Sequence, residues 1–264
     1  MLNLRNIART SAPPSPDGIP VLALHSLGLD GEAWAAVAQA TPDRDFYVYD
    51  QKGHGVASGD APASLVDLVA DANHALDLID RPLVHLVGHS LGGAVAASLV
   101  RDGEERIASL SLIATPFAGL EVFRQRATAQ ADGTLRKVAD STLERWFGET
   151  ASGPEVEMAR AKLMAMTPAG FDASWHALAE FEGYDILPAP IPPALVCSFD
   201  EDQSTPPANG EAILRALLLK SPTVQHEVIS GAGHMGVLTQ APAVSALLTQ
   251  HWQSVEANQS EVAL

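Results

Sequence analysis

Residues 82–93 read PLVHLVGHSLGG, and the small-residue run LGGAVAASLV occupies 91–100. The first six residues are apolar enough for a buried strand, while the run after Ser90 suits a helix. Between them Gly88-His89-Ser90-Leu91-Gly92 satisfies G-x-S-x-G where that pattern has a mechanical meaning, at a strand-to-helix turn. A serine on so sharp a turn takes a strained backbone, and flanking glycines let neighbouring chain close in. The pattern predicts an exposed nucleophilic Ser90 Oγ and a helix over 91–102 capped by Gly103. Leu91 N–H, at that helix's positive end, favours negative charge growing on a bound carbonyl oxygen.

Outward from this turn, runs of the same strand-like kind recur at PVLALH (20–25), FYVYD (46–50), IASLSLI (107–113), ALVCSF (194–199) and TVQHEVI (223–229). Helical patterns lie between them. The clearest joins Leu65, Leu68, Val69, Ala72, Leu76 and Ile79, whose spacing of three and four builds one apolar face. Alternation of this kind predicts an α/β fold: a mostly parallel central sheet, helices on both faces, and ligands beyond the carboxyl ends of the strands. The rhythm breaks at residues 117–186, where four helical patterns follow one another without a strand. LPAPIPP (187–193) then stiffens the return to the sheet. The expected organisation is a core of residues 1–116 and 187–264 with a helical cap inserted at 117–186. Ahead of the first strong strand there is room for one short edge strand or a small hairpin.

A serine hydroxyl is a weak nucleophile, so the turn at Ser90 calls for a histidine base and an acid to orient it. DEDQSTPP (200–207), after the strand at 194–199, offers Asp200, Glu201 and Asp202; SGAGHMG (230–236), after the strand at 223–229, supplies His234. Asp202 is preferred over Asp200 because it lies a few residues past its strand, where a loop can turn toward His234. A second oxyanion donor is expected from the turn His25-Ser26-Leu27-Gly28, with Leu27 N–H acting beside Leu91 N–H. His25 is a candidate pocket residue, His54 and His89 flank the site, and His85 reads as a core histidine.

Several other chemistries are disfavoured. GAGHMG (231–236) also fits G-x-G-x-x-G, but only 28 residues follow Gly236, too few for a βαβ unit with its ribose-binding acid. The single cysteine, Cys197, lies in an apolar run and reads as a buried structural thiol. No P-loop, paired-Cys site or H-E-x-x-H occurs, so neither a metal nor an organic cofactor is expected. Thirty-two acidic against sixteen basic residues give a net charge of −16, which opposes binding to nucleic acid or an anionic membrane. Hydrophobic residues at 47% against 18% charged predict a large buried core rather than a disordered chain. MLNLRNIARTSAPPSP (1–16) lacks an apolar stretch of signal-peptide length, and the expected location is cytoplasmic.

The chain resembles the α/β-hydrolases, and within them the 3-oxoadipate enol-lactonases. The resemblance rests on HSLGLDGEAW (25–34), DQKGHGVAS (50–58), GHSLGG (88–93), TLERWFG (142–148), DEDQSTPP (200–207) and GAGHMG (231–236). Lys52 stands where the family usually carries Arg. What the resemblance implies is a Ser90–His234–Asp202 triad hydrolysing a small lactone that carries a free carboxylate, as in the degradation of aromatic acids. In the cap, Trp146 is a candidate apolar wall and Arg145 a candidate partner for that carboxylate. Trp175 and His176, on a later cap helix, are weaker candidates for the pocket, because an aromatic at helical spacing is usually core. Two alternatives stay open: a carboxylesterase of other small esters, and a ligand-binding receptor that keeps the triad for recognition.

Overall fold

The computed structural model describes residues 2–7, 18–128, 135–149, 152–221 and 223–262. Within these residues seven strands form one sheet: β1 (Arg5–Asn6), β2 (Val21–Leu24), β3 (Phe46–Val48), β4 (Val84–His89), β5 (Ile107–Ile113), β6 (Ala194–Phe199) and β7 (Val224–Ile229). Their order is β1-β3-β2-β4-β5-β6-β7, parallel throughout except for the antiparallel β1–β3 pair. Among the described residues ten α-helices accompany them: α1 (Ala35–Gln39), α2 (Leu65–Ile79), α3 (Leu91–Arg101), α4 (Glu121–Thr128), α5 (Leu135–Phe147), α6 (Pro154–Ala165), α7 (Pro168–Ala179), α8 (Pro207–Leu218), α9 (Gly236–Thr239) and α10 (Ala241–Val262). One apolar core joins α2, α3 and α8 to one sheet face and runs on into the inserted helices α4–α7; a second packs α1 and α10 on the other face. This is the α/β-hydrolase architecture, with a helical insertion between β5 and β6.

Local chemistry accounts for the element ends. Ser64 caps α2 by accepting from Asp67 N–H, and the helix buries the apolar stripe that its spacing predicts. Gly103, at φ +81°, terminates α3, with Glu104 N–H closing back on Leu99 O at 3.2 Å. Strand β3 is shorter than the run 46–50 because Asp50 leaves it: its carboxylate takes Arg5 Nη2 at 2.8 Å and the N–H groups of Gly31 and Val56. Strand β4 extends beyond residue 87 because Gly88 and His89 stay paired with Leu112 and Ile113 of β5. The amino-terminal edge contributes the two-residue β1, while residues 8–17 of the turn-rich segment lie outside the described residues. Among the described residues no helix is long and apolar enough to cross a membrane.

Candidate active site

Ser90 sits between the last residue of β4 and the first of α3, with φ +53° and ψ −112°, a backbone state that L-residues rarely adopt. The turn is possible because its neighbours have no side chains. A Cβ on Gly88 would collide with the backbone of Gly92 and Gly93, and one on Gly92 with the carbonyls of Leu24 and His25 at the end of β2. Ser90 N–H donates to Ile113 O at 2.9 Å, so the sheet itself holds the turn. Contrary to the expected exposure, Ser90 is only 7% accessible, because the inserted helices roof it.

The loops after β6 and β7 bring the other two residues to it. His234 Nε2 lies 3.0 Å from Ser90 Oγ, and His234 Nδ1 lies 2.8 Å from Asp202 Oδ2. Asp202 is itself held on every side. Its Oδ2 accepts from Thr205 Oγ1 at 2.7 Å, and its Oδ1 from the N–H groups of Ser204 and Thr205 at 2.6 and 2.9 Å. Burial pushes this carboxyl up, but the His234 charge and these hydrogen bonds outweigh it and hold it down at about 2. Asp200 does other work: it accepts from Gly231 and Ala232 N–H, bracing the loop that carries His234. Among the described residues, neither Leu27 N–H nor Leu91 N–H is hydrogen-bonded within the protein.

The flanking histidines are fixed in the scaffold. His89 Nε2 donates to His234 O at 2.9 Å, and burial, aided by the His234 charge, pushes its imidazole down to about 3. His25 does not line the cavity at Ser90, because both of its ring nitrogens are occupied: Nδ1 faces Ser26 O and Nε2 accepts from Gln51 N–H. Burial pushes His25 down to about 4 and, with the adjacent His25, pushes His54 down to about 3. His85 is a buried partner of Ser109 and Glu256. Cys197 is buried, and burial raises its thiol to about 12.

Ser90 and His234 open onto a narrow cavity of about 20 Å³. Its walls are Leu27, Phe123, Trp146, Trp175 and Leu178, with Arg126 and Ser204 as polar members. Trp146 thus lines the cavity, its ring centre 6.4 Å from that of His234. Arg145, one residue earlier and therefore about 100° around α5, does not. Its guanidinium folds back toward Ser141 O and Thr142 Oγ1, and burial next to Arg126 pushes it down to about 10. The cavity takes its guanidinium from Arg126 instead, stacked 5.1 Å from the centre of Trp175 and 5.7 Å from that of Phe123. Among the described residues no carboxylate pairs with Arg126, and burial alone pushes its guanidinium down. Trp175 is a wall of the site as well as a core residue, and its Nε1 is buried without a partner. His176 lies away from the cavity, 3.8 Å from Asp172.

A serine on a strand-to-helix elbow, with an acid after the next-to-last strand and a histidine after the last, defines the α/β-hydrolase class. The sequence profile of the alpha/beta hydrolase family matches residues 21–247, and the chain belongs to that family. Its relatives include 3-oxoadipate enol-lactonase 1 of Acinetobacter baylyi, 26% identical over 85% of each chain. The (E)-2-((N-methylformamido)methylene)succinate hydrolase of the same organism is 28% identical over 62% of this chain, and that match spans 64% of the relative, less than two thirds of its length. The crystal structure of the enol-lactonase from Burkholderia xenovorans LB400 superposes with a TM-score of 0.81 at 22% identity, covering 96% of both chains.

Proposed function

We propose that the protein hydrolyses a small ester or lactone through a serine-bound acyl-enzyme, and that its substrate is of the enol-lactone kind. The observation that carries this reading is the unbroken chain Ser90 Oγ–His234 Nε2 at 3.0 Å and His234 Nδ1–Asp202 Oδ2 at 2.8 Å, opening onto a cavity beside two unpaired N–H groups. His234 Nε2 takes the Ser90 proton as Oγ bonds to the substrate carbonyl carbon. The carbonyl π pair moves onto oxygen, where Leu27 and Leu91 N–H receive it. When the intermediate collapses, the C–O bond to the leaving oxygen breaks and His234 returns the proton to that oxygen. In a lactone the leaving group stays tethered to the acyl chain. Water then attacks the acyl carbon, His234 takes a water proton, the C–Oγ bond breaks, and the proton returns to Ser90 Oγ, releasing the open acid. Asp202 keeps the imidazole in the tautomer this cycle needs.

The cavity's small size supports a compact substrate, and the unmatched Arg126 supports one with a carboxylate at its cap end. The deciding experiment compares wild type with Ser90→Ala on carboxylated and uncharged enol-lactones. Loss of turnover and of the acyl-enzyme mass adduct in Ser90→Ala is expected. Equal rates for the two proteins would remove the covalent mechanism.

A further inference from the structure

The loop bearing the second unpaired N–H is not held by the core alone. Gly28, next to Leu27, has φ +85°, and a Cβ there would stand 2.5 Å from Trp146 Cη2 and 3.1 Å from Leu163 Cδ1. The chain at Leu27 is therefore pressed under α5 and α6 of the cap. Two residues on, Asp30 is 5% accessible and has both carboxylate oxygens engaged. One accepts Glu32 N–H at 3.1 Å, capping the short helix Gly31–Trp34; the other faces Lys162 Nζ of α6 at 2.5 Å. Among the described residues this is the one ion pair between the cap and that loop. The cap also reaches the base: the Trp146 carbonyl closes on Gly233 so tightly that no side chain would fit there.

We infer that Lys162 is a positioning residue for the oxyanion hole: its bond to Asp30 seats α6 on the loop and fixes Leu27 N–H where the developing oxyanion needs it. The inference rests on the hydrolytic reading above. Preset donors work only in register, and a misplacement of about 1 Å can cost about 100-fold in rate. The pair joins a 31% accessible Lys162 side chain to a 7% accessible Asp30, so deleting the lysine charge leaves a largely buried carboxylate short of its partner and lowers stability as well as displacing the loop. Its value to catalysis lies in where it puts the loop.

Lys162→Met keeps the aliphatic stem and deletes the charge. In the full chain, kcat on a small ester is expected to fall about tenfold with KM nearly unchanged, a partial loss of one donor's effect. Affinity for a boronic acid, whose adduct on Ser90 places an oxygen in the hole, should fall by the same factor when both are measured well below the variant's melting temperature, which drops because Asp30 is left without its cation. Lys162→Arg should restore most of both losses, Asp30→Asn should reproduce them, and the double variant should lose no more than either single one. Wild-type kcat and boronate affinity in Lys162→Met would overturn the inference. So would a loss in kcat that leaves boronate affinity unchanged, or one explained by melting temperature alone. Ser90→Ala separates the two readings: if it remains active, the hydrolytic reading fails whatever Lys162 does. If it is inactive while Lys162→Met is indistinguishable from wild type, only this inference fails.

Discussion

Asp202 shows how one residue is committed to a single state. Its two oxygens receive Thr205 Oγ1, the Ser204 and Thr205 N–H groups and the His234 ring, and the carboxyl is held at about 2 against the upward push of burial. The acid therefore stays charged at neutral pH, where it holds and stabilises the imidazolium rather than taking its proton. Asn at this position still fits and can still accept from the backbone N–H groups, but it has no charge to stabilise the imidazolium and can hold the ring in the wrong tautomer. Asp202→Asn should fold normally and lose roughly 10⁴-fold in kcat, the size of loss seen when a buried triad acid becomes an amide. Single-turnover acylation with a chromogenic ester, alongside a denaturant titration, checks both halves. The sequence order of Ser90, Asp202 and His234 made this grouping legible, because each residue follows a strand whose run can be read locally. The choice of Asp202 over Asp200 follows the same logic, while Thr205, which locks the carboxylate, carries no signal beyond standing next to a prolyl turn.

Among the elements, the strands and α2 were readable because their information is local: period, cap and apolar run. The two-residue β1 is too short to carry a period, and its pairing is set by Asn6 and Ile7 meeting β3. Of the cap residues in the cavity wall only Trp146 was legible, and the rest was hidden for a different reason. Phe123 and Arg126 come from α4, Trp146 from α5 and Trp175 from α7, and an aromatic at helical spacing looks the same in sequence whether it faces a core or a site. The same ambiguity hides why α10 is anchored as it is. Glu256 takes Arg44 through both guanidinium arms, at 2.5 and 2.8 Å, and His85 Nε2 at 3.2 Å, while Trp252 stacks on the His85 ring. Burial pushes the Glu256 carboxyl up, but the hydrogen bonds from Arg44 and His85 hold it down at about 2, against about 4.3 for a free glutamate. A carboxyl depressed on folding adds stability that is complete above its unfolded value and lost as pH falls toward its folded one. Glu256→Gln should therefore be less stable than wild type at neutral pH, with the gap closing between about pH 4.3 and pH 2. Urea midpoints measured across that window decide it; a gap that stays constant would mean that the ion pair is not the source.

The whole molecule sets a condition that neither residue nor element reveals. With a net charge of −16, its field repels anions, yet the candidate cavity holds Arg126, half-buried over two aromatic rings and facing no carboxylate among the described residues. A carboxylated substrate would meet long-range repulsion outside and short-range attraction inside. Salt separates the two, since charges farther apart than a Debye length of about 10 Å at 0.1 M are screened, whereas a partly buried contact is screened much less. For a carboxylated lactone, kcat/KM should consequently rise as ionic strength increases from low values to about 0.15 M, while an uncharged ester of the same size should show no such rise. Arg126→Met should cut kcat/KM for the carboxylated substrate by roughly 10- to 100-fold, the worth of one charged hydrogen bond, and leave the uncharged ester nearly unaffected. The salt response should survive in that variant, because it originates in the acidic surface. A response that vanishes with Arg126 would instead place the dominant charge effect inside the cavity, and an Arg126→Met variant with unaltered selectivity would leave the guanidinium to its stacking role against Phe123 and Trp175.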